Sequence, residues 1–113
     1  MIIAAREGNF EITKMILEQN SENQSFKIDH QMKDGWTALL YAAINGFCII
    51  VELLAKNGAN IDSYDNLKRN SLHWAARFNN TKMAKTLMDL KCDKTRVDID
   101  KKTPIQIAYI YEN

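Results

Sequence analysis

The chain has 113 residues, 46% of them apolar, and its 15 basic and 14 acidic side chains leave a net charge of +1. That composition excludes intrinsic disorder and leaves no basic excess of the kind a duplex-binding surface needs. The two cysteines, Cys48 and Cys92, are too few for a disulfide scaffold and fit a reducing, cytoplasmic compartment. The longest apolar runs, Ala38 to Ile44 and Phe47 to Val51, are far too short to cross a bilayer, so this segment is expected to make no membrane insertion. Arg6 and Glu7 interrupt the apolar start too early for a signal peptide.

Taken in chain order, the elements repeat. Met1-Ile2-Ile3-Ala4-Ala5 opens the chain, and the same pattern returns as Leu39-Leu40-Tyr41-Ala42-Ala43 after 38 residues. It then recurs at a strict spacing of 33, as Leu72-His73-Trp74-Ala75-Ala76 and as Ile105-Gln106-Ile107-Ala108-Tyr109. Self-similarity at such a period marks a solenoid, in which each unit buries its apolar face only by stacking on its neighbours. The units are residues 1–31, 32–64, 65–97 and 98–113. The first lacks a leading turn and cap and carries extra residues near Ser21 to Ser25. That insertion is expected to lengthen a loop and leave the stack intact.

The second unit shows the plan. Asp34-Gly35 reads as a tight turn and Thr37 as a helix N-cap. Leu39, Ala42 and Ala43 form the apolar stripe of a short helix that Gly46 ends in left-handed backbone. Ile50, Leu53 and Leu54 form the stripe of a second helix, closed by Gly58. In the third unit Asn70 caps, Asn79 takes the left-handed position, and Met83 and Leu87 carry the second stripe. Lys91 stands where Gly58 stood, a costly choice if that backbone is left-handed. In the fourth, Thr103 caps and Pro104 occupies the first helical position. The small Ala42, Ala43, Ala75 and Ala76 allow close approach of adjacent helices. The last unit ends after one helix, so Ile105, Ile107 and Ile110 are expected to lack part of their cover. The chain therefore reads as a fragment of a longer, multidomain protein.

These residues resemble the ankyrin repeat, whose signature is Thr-Pro-Leu-His-x-Ala, Gly, Ile-Val-x-Leu-Leu and Gly-Ala. The matching stretches are Thr37-Ala38-Leu39-Leu40-Tyr41-Ala42, Gly46, Ile50-Val51-Glu52-Leu53-Leu54 and Gly58-Ala59. Later copies give Asn70-Ser71-Leu72-His73-Trp74-Ala75 and Thr103-Pro104-Ile105-Gln106-Ile107-Ala108. The resemblance implies an all-α repeat solenoid, an ankyrin stack of helix-turn-helix units joined by β-hairpin-like loops. It also implies a non-catalytic scaffold that binds another protein or peptide on a concave face. Carried over position by position, that face holds Lys33, Trp36, Ile44, Asn45, Tyr64, Asn66, Arg69, Arg77, Phe78 and Lys102, with Arg6 and Glu7 extending it into the first unit. A narrower resemblance joins Tyr41-Ala42-Ala43, Trp74-Ala75-Ala76-Arg77, Lys94 and the stretch Asp100 to Ala108. These are similar to the last repeats of germ-cell ankyrin, SAM and leucine-zipper proteins. That likeness implies a scaffold on the cytosolic face of mitochondria, held by an anchor outside this segment and recruiting piRNA-pathway factors.

Other chemistries find little support in the residues. His30, His73, Cys48 and Cys92 are the only soft metal ligands and show no ligand spacing, so no metal and no cofactor is expected. The resemblance gives His73 a structural role, tying turns together. Asp93, Asp98 and Asp100 lack the glycine and terminal glutamate of a calcium loop and read as a solvated hairpin tip. No phosphate loop, nucleophile elbow or Cys/His dyad is present, so the protein is read as a non-enzyme. Tyr41 and Trp74 are expected to be half-buried packing aromatics, and both cysteines to lie at the core edge. Trp36 and Phe78 are expected to be exposed apolar anchors, with Arg69 and Arg77 engaging acidic or carbonyl groups. The alternatives are a nucleotide- or RNA-binding ankyrin module that stacks bases on Trp36 and Tyr64, an IκB-like inhibitory ankyrin protein, and self-assembly through the incomplete last repeat.

Overall fold

Seven short helices occupy the described residues, 1–23 and 25–111, of the computed structural model. They are α1 (Ile2–Arg6), α2 (Phe10–Gln19), α3 (Ala38–Ile44), α4 (Cys48–Lys56), α5 (Ser71–Arg77), α6 (Thr81–Asp89) and α7 (Pro104–Ile110). The odd-numbered helices lie side by side as an inner row, and α2, α4 and α6 form an outer row behind them. Each of α1, α3 and α5 also packs on the outer helix that follows it. Growth along one axis gives an elongated body of 43 × 24 × 22 Å.

Local chemistry starts and stops these helices where the repeat predicts. The side chains of Thr37, Asn70 and Thr103 accept the amide hydrogens of Leu40, His73 and Gln106. Pro104 takes the first turn of α7, where no intrahelical donor is needed. Asn9 and Asn80 cap the outer helices α2 and α6 in the same way. Gly46 and Asn79 follow α3 and α5 with φ of 81° and 54°, left-handed as expected.

The core runs between the two rows. Leu39, Val51, Leu54, Met83 and Leu87 are buried, and Ala42, Ala43 and Ala75 let the rows approach over them. Cys48 and Cys92 are also buried, with no more than 7% exposed. Of the three α7 isoleucines expected to lack part of their cover, Ile107 is buried, at 3% exposure. Ile105 and Ile110 remain 76% and 55% exposed. At the insertion near Ser21 to Ser25, Phe26 N–H donates to the Asn23 carbonyl, and Gln24 lies outside the described residues. Phe26 and Ile28 then pack against the core, so the extra residues leave the stack unbroken.

The turns between units keep the 33-residue register in their hydrogen bonds. Met32, Asp65 and Asp98 donate their amides to the carbonyls of Trp36, Arg69 and Lys102, at 3.0, 3.1 and 2.9 Å. Neighbouring turns are then laced together, Asn66 N–H to Asp34 O at 3.0 Å and Ile99 N–H to Leu67 O at 2.9 Å. Each turn needs one left-handed residue, supplied by Gly35, Lys68 and Lys101. The two lysines escape the glycine signal that marks the first of these turns.

Lys91 is left-handed too, with φ of 67°, at the place of Gly58. The Lys91 side chain is exposed, so backbone strain is the cost that remains. Its charge also lies just past the end of α6, where a cation offsets part of that strain. Lys91→Gly is expected to raise stability by about 0.5 kcal/mol, the left-handed penalty less glycine's entropy and the lost dipole term. Ala75→Leu is expected to overpack the two rows and cost about 1–3 kcal/mol. Thermal melts of the two variants check both signs.

Candidate protein-binding face

Two positions per unit build one side of the inner row. One directly precedes the cap and holds Trp36, Arg69 and Lys102; the other lies mid-helix and holds the half-buried Tyr41 and Trp74 and, in the last unit, the buried Ile107. Within a unit the first leans over the second. The Trp36 ring lies 4.9 Å from that of Tyr41, and the Arg69 guanidinium 5.2 Å from that of Trp74. Trp36 also meets Trp74 of the next unit at 5.4 Å, and Trp74 stacks on Phe78 at 6.2 Å and 17°. The result is an unbroken aromatic ladder from Tyr41 through Trp36 and Trp74 to Phe78.

Guanidinium groups flank the ladder at both ends. Arg6 lies 5.7 Å from the Tyr41 ring. Arg77 lies 5.3 Å from Phe78 and 3.8 Å from Tyr111. Such contacts set each cation against an aromatic ring whose quadrupole attracts it.

Two buried carboxylates fix this surface from below. Asp65 accepts the Leu67 and Arg69 amides through Oδ1 and Trp74 Nε1–H through Oδ2 at 2.8 Å. Asp98, one repeat later, accepts the Asp100 and Lys102 amides through Oδ1. Its Oδ2 pairs with Arg69 Nε at 3.1 Å, because Ile107 cannot donate where Trp74 does. Burial alone raises the Asp98 pKa, but the Lys102 amide and the Arg69 guanidinium outweigh it and hold the carboxyl below its ordinary range. Asp98 is 3% exposed, which corrects its reading as part of a solvated acidic tip; Asp93 and Asp100 are exposed.

His73 ties α5 to the following turn. Nδ1 accepts the Asn70 amide at 3.2 Å, and Nε2 donates to the Lys102 carbonyl at 2.9 Å, so the neutral tautomer protonated on Nε2 fits. Burial keeps its pKa below the usual 6.5 despite that carbonyl and the Asp98 charge.

The remaining candidate residues divide by role. Asn45 donates its side-chain amide to the Arg6 carbonyl, and Asn66 donates to the Lys33 carbonyl, so both lace adjacent units together. Arg69 is engaged by Asp98, and Lys102 is half-buried with its carbonyl on His73. Ile44 is half-buried, while Arg6, Glu7 and Lys33 are exposed. Trp36 is half-buried between two rings, a correction to its expected exposure. Phe78 and Tyr64 stay open, 55% and 41% exposed, and Arg96 stacks 3.5 Å over the Tyr64 ring.

Tyr111, Arg96 and Asp65 are missed by the candidate set. Asp65 stands 33 residues before Asp98, and that register is the one signal that marks it. Burial pushes the Cys92 thiol up to about 11, beyond nucleophilic use at neutral pH. Among the described residues no three His, Cys, Asp or Glu side chains converge on a metal-sized space.

Asp98→Ala is expected to cost about 2–4 kcal/mol, since it strands two turn amides and a partly buried guanidinium. Denaturant titration beside Asp100→Ala, expected to be near neutral, measures it. The His73 contribution is complete above the unfolded-state pKa of 6.5 and falls away below it, because the unfolded chain takes up the proton first. The melting temperature is therefore expected to drop on acidification through that window, and His73→Gln to flatten the drop.

The comparisons agree with this architecture. Residues 1–98 match the ankyrin-repeat family in three copies. The chain is 31% identical over 98 residues to the E3 ubiquitin-protein ligase XBAT33 of Arabidopsis thaliana, covering 87% of this chain and 18% of the ligase. It is 31% identical over 86 residues to neurogenic locus notch homolog protein 1 of Homo sapiens, covering 76% of this chain and 3% of that protein. The Mus musculus form shares 31% over 83 residues, 74% of this chain and 3% of its own length. No helix among the described residues is long and apolar enough to cross a membrane. With the repeat register, the caps and the stacked helix pairs all in place, the chain belongs to the ankyrin repeat family.

Proposed function

We propose that this chain is a non-catalytic protein-interaction module that holds a partner protein or peptide along the inner-row face. The supporting observation is the ladder itself. Tyr41, Trp36, Trp74 and Phe78 run across two units without a break, and Arg6 and Arg77 flank them with guanidiniums 5.7 and 5.3 Å from the end rings. Exposed aromatic and arginine side chains on a rigid surface are the groups that dominate interface energies. Phe78, Arg77, Arg6, Tyr64 and Lys33 make the contacts. Trp36 is the floor under them, and Asn45, Asn66, Arg69 and Lys102 hold that floor in place.

The likeness to the ligase extends over its repeats alone, so no ligase activity is carried to this chain. A base-stacking RNA module is disfavoured because both neighbours of Trp36 crowd its ring at 4.9 and 5.4 Å. An IκB-like inhibitor or a mitochondrial piRNA-pathway scaffold would use this same face. The Trp74-Ala75-Ala76-Arg77 motif behind the latter reading is accounted for by the ladder and the α5 core.

Peptides selected by the wild-type chain from a displayed random library provide the probe. Arg77→Ala with Phe78→Ala is expected to weaken them by about tenfold or more while barely moving the melting temperature. Trp36→Ala is instead expected to lower stability by about 1–3 kcal/mol, since it empties the space between two rings. Undiminished binding by the Arg77/Phe78 double variant would remove the face from consideration.

A further inference from the structure

The near-neutral total charge conceals a polarity along the stack. Residues 1–64 carry five Lys or Arg against eight Asp or Glu, whereas residues 65–113 carry ten against six. Two of those six acids, Asp65 and Asp98, are buried and engaged by turn amides, Trp74 and Arg69. The outward surface at this end is therefore more cationic than the count shows. Its arginines are also arranged. Arg77 lies against Tyr111 and Phe78, and the Arg69–Asp98 pair is the only salt bridge among the described residues. Arg96 stacks on Tyr64 with its Nε–H donated to the Lys68 carbonyl, and the Lys68 ammonium stands 6.0 Å from the same ring. The forked N–H groups of a guanidinium match the two oxygens of a carboxylate.

Resting on the protein-binding reading above, we propose that the partner is an acidic segment whose Asp or Glu carboxylates dock on Arg77 and Arg96, with a neighbouring apolar side chain seated on Phe78. The charge polarity sets its placement: the acidic stretch lies over the third unit, residues 65–97, which holds eight Lys or Arg against three Asp, and the less charged stretch over Trp36 and Tyr41. Long-range attraction to this end speeds encounter, and the forked contacts set the register.

A displayed random-peptide library panned against the full chain tests this. Selected sequences are expected to be enriched in Asp and Glu beside Leu or Phe. A synthetic peptide of the selected sequence should lose about tenfold in affinity to Arg77→Lys, which keeps the charge and removes the fork, and to Arg96→Gln. Lys14→Gln on α2 should leave binding unchanged, and added salt should weaken it. Selected peptides without acidic enrichment, or acidic peptides indifferent to both arginine variants, overturn this docking mode and leave protein binding standing. A library that yields no binder overturns the protein-binding reading itself. A single-stranded RNA oligonucleotide that displaces the peptide, and is weakened by the same variants, assigns these cations to phosphate and also overturns the proposal.

Discussion

No helix in this protein can stand alone. The seven run from 5 to 10 residues, below the length at which an isolated helix survives in water. Every one depends on the next unit arriving in register, and the turns enforce that register. The same backbone hydrogen bond recurs at Met32, Asp65 and Asp98, and the amides of Asn66 and Ile99 lace each turn to the one before. Stability is thus a nearest-neighbour property, and a fault in one turn reaches the units on either side.

The two buried aspartates show how this constraint shapes the surface. Each neutralises the open amides of its own turn through one oxygen and uses the other to position a side chain of the exposed face. Asp65 orients Trp74 and Asp98 orients Arg69. The aromatic ladder is therefore an extension of the turn network, and its rings are set by hydrogen bonds at their edges as well as by contact with one another. A face built in this way loses little conformational entropy when a partner arrives, which favours binding without rearrangement.

The charge distribution follows a separate logic from the fold. Stacking needs only apolar stripes, caps and turns, so outward positions are free to differ from unit to unit. Here they differ systematically: the first two units are each net acidic, and the basic excess falls in the third, where eight Lys or Arg stand against three Asp. An overall charge of +1 hides that gradient. Exclusion of partners from net charge alone therefore misses a surface whose two halves carry opposite signs.

The fold was legible because the repeat is written in residues whose local chemistry is explicit. Thr37, Asn70 and Thr103 cap, Pro104 starts a helix, and Gly46 and Asn79 stop two more; each acts within a few residues of itself. Lys68 and Lys101 were not legible as left-handed turn residues, since only the stack compels a lysine into that backbone. The site was read in part. The positions of Phe78, Tyr64 and Arg77 follow from the register, because a repeat fixes which side of a helix faces outward. Whether such a side chain remains available depends on which neighbour reaches it from the next unit. That contact enclosed Trp36 between Tyr41 and Trp74, paired Arg69 with Asp98, and left Phe78 open. The sequence determined the period, the helices and the outward positions through local bonding, and only tertiary stacking, acting across 33 residues, decided which of those positions are engaged and which stay open.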